Sequence, residues 1–175
     1  NSASILLKGR HNIANSLAAS LCSYLAGASI EGIRKALSSF KGLDHRFQYV
    51  ADIGGVKFVD DSKATTVDAC RIALSSCDGK VILIAGGRDK GSDFTKIKNI
   101  IKEKVKAVVL LGEANNKIAT ALGSVTEVHE ARNMDDAVSK AQSVASANDV
   151  VLLSPMCASF DMYSSYKERG DLFKN

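Results

Sequence analysis

With 175 residues and a mass of 18.6 kDa, the chain is long enough for one full domain plus an appendage and too short for two complete domains. Hydrophobic residues at 46% against 24% charged, with a single proline, exclude a disordered or fibrous chain, and no apolar run approaches the ~18 residues that span a bilayer. The net charge of +4 comes from lysines spread along the chain, densest between Lys96 and Lys106 at helical spacing, which describes a solvated helix face rather than a nucleic-acid surface.

The amino terminus does not read as a signal peptide, because Ile5-Leu6-Leu7 is too short and is followed by Lys8 and Arg10. Residues 12 to 26 carry Ile13, Leu17, Leu21 and Leu25 at i, i+4 spacing, with Ala14, Ala18, Cys22 and Ala26 on the adjacent row. That pattern predicts an amphipathic helix with a tightly packing stripe of small residues. A second helix is expected from Ser29 as N-cap, with Ile30, Ile33, Leu37 and Phe40 on one face, ending before Gly42. The two form a helical hairpin, and residues 1 to 43 read as a piece of a different domain.

From Asp44 the texture changes. Two short strands, Phe47 to Ile53 and Val56 to Asp60, flank Gly54-Gly55, a pair suited to a primed hairpin turn. Strict alternation follows: helix Thr66 to Ser76, strand Val81 to Ala85, helix Phe94 to Lys104 capped by Asp93, and strand Ala107 to Leu111. Helix Ala114 to Leu122, strand Thr126 to His129, helix Met134 to Ala147 capped by Asn133, and strand Val150 to Leu153 complete the series. The strands at Val81 and Val108 are apolar throughout, as in a parallel sheet covered on both faces. The expected fold is α/β, a Rossmann-like doubly wound, mostly parallel sheet whose first strand is antiparallel.

In such a sheet the loops that leave the carboxyl ends of the strands gather on one edge, where ligands bind. After the second strand come Asp60-Asp61-Ser62-Lys63-Ala64-Thr65-Thr66, dense in charge and hydroxyls. Taken alone, that loop is a polar turn with a good N-cap. After the Val81 strand come Gly86-Gly87-Arg88-Asp89-Lys90-Gly91, which match neither a phosphate-binding G-x-x-x-x-G-K-[ST] loop nor a G-x-G-x-x-G fingerprint. Ser154 to Asp161 follow the last strand and are expected to enter a helix amino terminus, then Tyr163, Tyr166 and Arg169. A capped terminal helix with core tyrosines is the plainer reading of that stretch. Together Lys63, Lys90 and the expected helix terminus suit an anionic small molecule with more than one carboxylate. Cys22, Cys70, Cys77 and Cys157 show no C-x-x-C spacing and no paired histidines, so neither a metal site nor a disulfide framework is expected, and reduced thiols point to a cytoplasmic protein.

Six blocks, in order, resemble the Mur ligases: Gly9-Arg10-His11-Asn12-Ile13-Ala14-Asn15; Gly42-Leu43-Asp44-His45-Arg46-Phe47; Asp61-Ser62-Lys63-Ala64-Thr65; Gly86-Gly87 with Lys90 and Asp93-Phe94; Leu153-Ser154-Pro155 through Asp161; and Arg169-Gly170. The third block is similar to the members that add D-glutamate to UDP-N-acetylmuramoyl-L-alanine. The resemblance implies that residues 1–43 are the carboxy-terminal helices of a central ATPase domain and 44–175 the family's Rossmann-like carboxy-terminal domain. It implies an ATP-dependent amide-bond ligase of peptidoglycan precursor synthesis, working through an acyl phosphate with magnesium held mainly by the central domain. The 175-residue stretch alone is expected to be inactive.

Carried over by residue, Asn12 and Asn15 would meet the adenine, Arg46 the ATP phosphates and Asp61 the ribose, while His45 would order the interdomain junction. Lys63, Thr65, Lys90, Ser159, Phe160 and Tyr166 would line the D-glutamate site, with Arg169 in support; Arg46, Lys63 and His45 are the catalytic candidates. Thr66 and Tyr166 depart from the family's usual Asn and Phe. The implied partners are ATP, D-glutamate and UDP-N-acetylmuramoyl-L-alanine, with no nucleic acid or membrane, and the protein is expected to be a monomer. Two alternatives stay open: a folylpolyglutamate synthase-like ligase, and a non-catalytic module that binds an amino acid or nucleotide.

Overall fold

The computed structural model describes residues 10–175, which divide into two compact units between Leu43 and Asp44. In the first unit, α1 (Arg10–Leu25) and α2 (Ile30–Ser39) form the expected hairpin, and the Ser29 hydroxyl accepts from Gly32 N at 3.1 Å as the N-cap. The row predicted to pack tightly, Ala14, Ala18, Cys22 and Ala26, is exposed, as are Leu17, Leu21 and Leu25 beside it, because two helices by themselves supply no third layer to enclose an apolar face.

The second unit is a six-stranded sheet in the order β1-β2-β6-β3-β4-β5. Its strands are β1 (Gln48–Ile53), β2 (Val56–Asp60), β3 (Val81–Gly86), β4 (Val105–Leu110), β5 (Glu127–Glu130) and β6 (Val150–Met156). Only β1 with β2 is antiparallel, and every other neighbouring pair is parallel. Gly54 and Gly55, at φ 62° and 79°, make the primed turn between β1 and β2, a conformation that costs other residues a steric clash at Cβ.

Alternation along the strands divides the core in two. Val59, Leu83, Val108, Leu110 and Leu152 face α3 (Val67–Ser75), α4 (Lys98–Lys104) and α5 (Asn115–Leu122), which contribute Leu74, Ile101 and Ile118. Phe58, Ile82, Ile84, Val109 and Val151 pack on the other face with α6 (Met134–Val144) and α7 (Tyr166–Lys174), through Met134, Ala137 and Phe173. Burial of both faces explains why β3 and β4 lack polar alternation.

Several boundaries differ from expectation. The helix predicted over Phe94 to Lys104 opens as a 3-10 turn, Phe94–Ile97, before α4, since Asp93 Oδ1 accepts from both Thr95 N and Thr95 Oγ1 and tightens the first turn. The helix predicted to reach Ala147 stops at Val144, where Ala145 is extended and Asp149 Oδ2 accepts from Ser146 N. β6 runs on through Pro155 to Met156, and α7 begins only at Tyr166 with Ser165 as its cap, so Ser159 sits in an irregular loop rather than at a helix amino terminus. The hydroxyl of Ser165 accepts from Glu168 N at 3.2 Å.

Candidate functional site at the edge of three parallel strands

Because β6 lies between β2 and β3, the loops that leave these three strands are neighbours at one edge. They are also stitched together. Met156 N donates to Ala64 O at 2.9 Å, joining the β6 loop to the β2 loop. Arg88 N donates to Ala158 O at 2.9 Å and Ala158 N returns the bond to Arg88 O at 3.1 Å, joining β6 to β3. Gly87 is required at that junction: its φ is +121°, and a Cβ there would lie 2.2 Å from Ala158 O.

In the β2 loop the acids point inward and the lysine outward. Asp60 is wholly buried, its Oδ1 accepting from Ser62 N at 2.9 Å and its Oδ2 lying 2.7 Å from His45 Nδ1. Asp61 accepts from Phe47 N (3.0 Å) through Oδ1 and from the Ser154 hydroxyl (3.1 Å) through Oδ2. Burial pushes the Asp61 carboxyl up to about 7, an effect that these two hydrogen bonds only partly offset. Lys63 is exposed, with Nζ 3.4 Å from the Tyr166 hydroxyl and 4.9 Å from its ring centroid, so Tyr166 steadies the cation by a weak hydrogen bond and a cation–π contact. Thr65 is half-buried two residues further on.

The β3 loop is braced on both sides of Lys90. Arg88 reaches Glu113 with two nitrogens, at 3.1 and 2.9 Å, and Asp89 pairs with Lys117 at 2.5 Å. Although burial opposes it, the bonds from Lys117 and Ser92 pull the Asp89 carboxyl down to about 2. Lys90 itself is exposed between these braces. In the β6 loop, Ser159 is 1% exposed and its hydroxyl has no partner among the described residues, whereas Phe160 is 62% exposed beside it. A groove of about 520 Å³ between the 3-10 turn and α5, lined by Phe94, Lys98, Asn116 and Lys117, takes in none of the residues given a binding or catalytic role from the sequence.

Arg169 on α7 ties the edge together from beneath. It is 2% exposed, and it donates from Nε to Ser62 Oγ (3.0 Å), from Nη2 to Ser62 O (2.8 Å) and from Nη1 to Cys157 O (3.2 Å). Burial lowers this guanidinium to about 10. The Ser62 hydroxyl in turn donates to Tyr166 O at 2.8 Å. Arg169 therefore holds the residue before Lys63 and a residue two before Ser159 in fixed relation.

Of the residues singled out in the sequence, His45, Arg46, Asp61, Lys63, Thr65, Lys90, Ser159, Phe160, Tyr166 and Arg169 lie in this unit. Arg46 is exposed at its start, between His45 and Phe47. Asn12 and Asn15 lie on α1 in the other unit, three residues apart and so on one helix face. Gly9, from the first resemblance block, is outside the described residues. Sequence reasoning named Asp60, Ser154 and Gly170 in its loops and blocks but gave them no role; the doublet of acids at a strand end and a glycine inside a helix were the available signals.

A model of the family described as "Mur ligase, glutamate ligase domain" matches residues 45–157. The chain belongs to the Mur ligase family. The UDP-N-acetylmuramoylalanine–D-glutamate ligase of Chloroherpeton thalassium is 47% identical over 167 residues, covering 95% of this chain and 36% of that protein. The chain thus spans little more than a third of the length of that curated relative. Among solved structures, a pseudomurein peptide ligase type C from Methanothermus fervidus superposes with a TM-score of 0.72 at 16% identity, over 97% of this chain and 36% of that one. The folylpolyglutamate synthase of Mycobacterium tuberculosis gives 0.71 at 15% identity, over 97% and 41%. These two likenesses concern the fold alone.

Proposed function

We propose that the chain is the carboxy-terminal part of an ATP-dependent ligase that joins D-glutamate to UDP-N-acetylmuramoyl-L-alanine during cytoplasmic peptidoglycan precursor synthesis. One observation carries this reading: 47% identity, across 95% of the chain, to a relative named for that ligation. On this reading residues 1–43 are the end of a central ATPase domain and residues 44–175 carry the acceptor site. The loop edge offers chemistry that suits an acceptor with two carboxylates, since Lys63 and Lys90 are exposed cations and Ser159 holds an uncommitted hydroxyl. Thr65, Phe160 and Tyr166 complete the pocket, Arg46 meets the ATP phosphates, and Asn12 and Asn15 the adenine; Asp61, carried over to the ribose, is buried with both oxygens engaged and meets it only by giving up its Phe47 or Ser154 bond. His45 orders the junction and Arg169 supports the edge.

The reaction needs no protein nucleophile. A carboxylate oxygen of the first substrate attacks the γ-phosphorus of ATP and ADP leaves; the D-glutamate amine then attacks the acyl carbon, phosphate departs, and the nitrogen loses a proton. The part of this chain is to neutralise charge and hold the amine in line. Magnesium, implied by ATP chemistry, takes hard oxygen ligands. Asp60 and Asp61 do not fit that task, because they are buried and their oxygens are engaged by His45, Ser62, Phe47 and Ser154. Among the described residues no group of three or more His, Cys, Asp or Glu is placed to hold an ion. No step is therefore routed through a metal on this chain.

The test is phosphate release by the full-length ligase, which should require ATP, D-glutamate and UDP-N-acetylmuramoyl-L-alanine together. Lys90→Met should raise KM for D-glutamate on the order of tenfold to a hundredfold, the worth of a charged hydrogen bond. Release driven by a folate and L-glutamate instead would favour the folylpolyglutamate synthase reading, which the fold likeness leaves open. The 175-residue chain alone should give no turnover, since its sequence holds no phosphate-binding G-x-x-x-x-G-K-[ST] loop.

A further inference from the structure

The turn that carries Arg46 is built against its own conformational preference. His45 and Phe47 sit on either side of Arg46 at φ 61° and 46°, the left-handed region that residues with a Cβ adopt at a cost. Such a turn persists only where its surroundings over-determine it. Here His45 N donates to Gln48 Oε1 at 3.0 Å, His45 O accepts from Lys63 N at 3.0 Å, and Phe47 N donates to Asp61 Oδ1 at 3.0 Å. The His45 ring is buried, with Nδ1 2.7 Å from Asp60 Oδ2 and Nε2 3.7 Å from Asp171 on α7. The ring also meets Tyr166 edge-on at 6.0 Å.

What presses this arrangement shut is a glycine. Gly170 lies inside α7, where glycine weakens a helix relative to alanine, so its presence calls for a packing reason. A Cβ at Gly170 would fall 2.2 Å from His45 Nδ1 and 2.8 Å from Asp60 Oδ2, squarely on the bond between them. The space of one methyl group is what lets α7 cover the His45–Asp60 pair.

We infer that Asp60 and Gly170 are positioning residues: Asp60 fixes the His45 ring, Gly170 lets α7 seal that contact, and together they hold the left-handed turn that presents Arg46. The same turn bonds Lys63 through its backbone, so Arg46 and Lys63 are carried as one block. The step from turn to catalysis rests on the reading of Arg46 as an ATP-phosphate ligand.

Gly170→Ala is the direct test, read in two ways. In the 175-residue chain, it should shift the amide resonances of His45, Arg46, Phe47 and Lys63 and the His45 ring nitrogens, while amides of β3 and β4 stay in place. In the full-length ligase it should raise KM for ATP about tenfold, the scale expected for a displaced charge ligand. Leu172→Ala, an exposed change on the same helix, should do neither. Asp60→Asn, which adds no heavy atom but keeps only one of two acceptor oxygens, serves if Gly170→Ala does not fold, and should move the same amides. Unmoved 45–47 amides in a folded Gly170→Ala or Asp60→Asn chain would overturn the inference, as would a rise in KM for ATP of equal size in Leu172→Ala. Should Arg46→Ala leave KM for ATP unchanged, the phosphate role of Arg46 falls, while the amide shifts still decide whether Asp60 and Gly170 hold the turn.

Discussion

Asp61 should make the protein less stable as pH rises through neutrality. Its carboxyl is taken from about 3.8 to about 7 by burial, so the native state keeps a proton that the unfolded chain gives up. The sign follows: relative to unfolding, the Asp61 contribution is complete below pH ~4, erodes as pH climbs, and is fully lost above the folded value. With those two values, going from pH ~5 to pH ~8 costs roughly 2.5 kcal/mol, and the total penalty at alkaline pH approaches roughly 4 kcal/mol. Asp61→Asn removes the titration while retaining partners, since its amide oxygen can accept from Phe47 N and its NH2 can donate to the Ser154 oxygen. Urea unfolding of the 175-residue chain at both pH values, read by circular dichroism, should show the variant gaining roughly 2.5 kcal/mol on the parent between pH ~5 and pH ~8. The difference between variant and parent isolates Asp61 from groups of opposite sign such as Asp89, which lose their contribution only as pH falls toward about 2. A parent and variant with the same pH slope would refute the reasoning. That a buried acid this costly sits in the loop proposed to meet ATP fits the pattern in which sites are built at the expense of stability.

Two more outcomes can be checked on the same chain. Arg169→Met should destabilise it by about 3 kcal/mol in urea unfolding, because the Ser62 and Cys157 carbonyls lose buried donors; a loss under ~1 kcal/mol would show those bonds to be dispensable. With a thiol reagent at pH ~8, Cys22 alone should react in the folded state: Cys70, Cys77 and Cys157 are buried and their thiols are pushed up to about 12, and a second fast-reacting thiol would contradict that burial.

Local chemistry was legible. Ser29, Asp93 and Asn133 are caps because a short side-chain oxygen reaches an amide two or three residues on, which depends on nothing distant; Thr66, expected as the first helical residue, is itself the cap of α3. The Gly54-Gly55 turn and the two-sided burial of β3 and β4 follow likewise from neighbouring residues. Helix ends were less certain where a side chain further along competes for the backbone, as Asp149 does at Ser146. Of the site, the cations and hydroxyls were visible as residue types and the α/β alternation put their loops on one edge, but the strand order that makes the β2, β3 and β6 loops immediate neighbours was not.

That grouping belongs to contacts across long stretches of chain. Nothing near Val150 says that β6 will insert between β2 and β3, yet this insertion makes the three loops neighbours. Arg169 grips Ser62 from 107 positions away, and Lys63 meets Tyr166 from 103. His45 and Phe47 are left-handed without being glycines, a state no local preference selects and only the surrounding bonds impose. The sequence by itself determined which residues carry charge, cap helices and turn the chain, because those are properties of a few adjacent residues. The tertiary structure alone decided that Asp60 and Asp61 face inward while Lys63 faces out, because that division depends on what α7 and β6 pack against them.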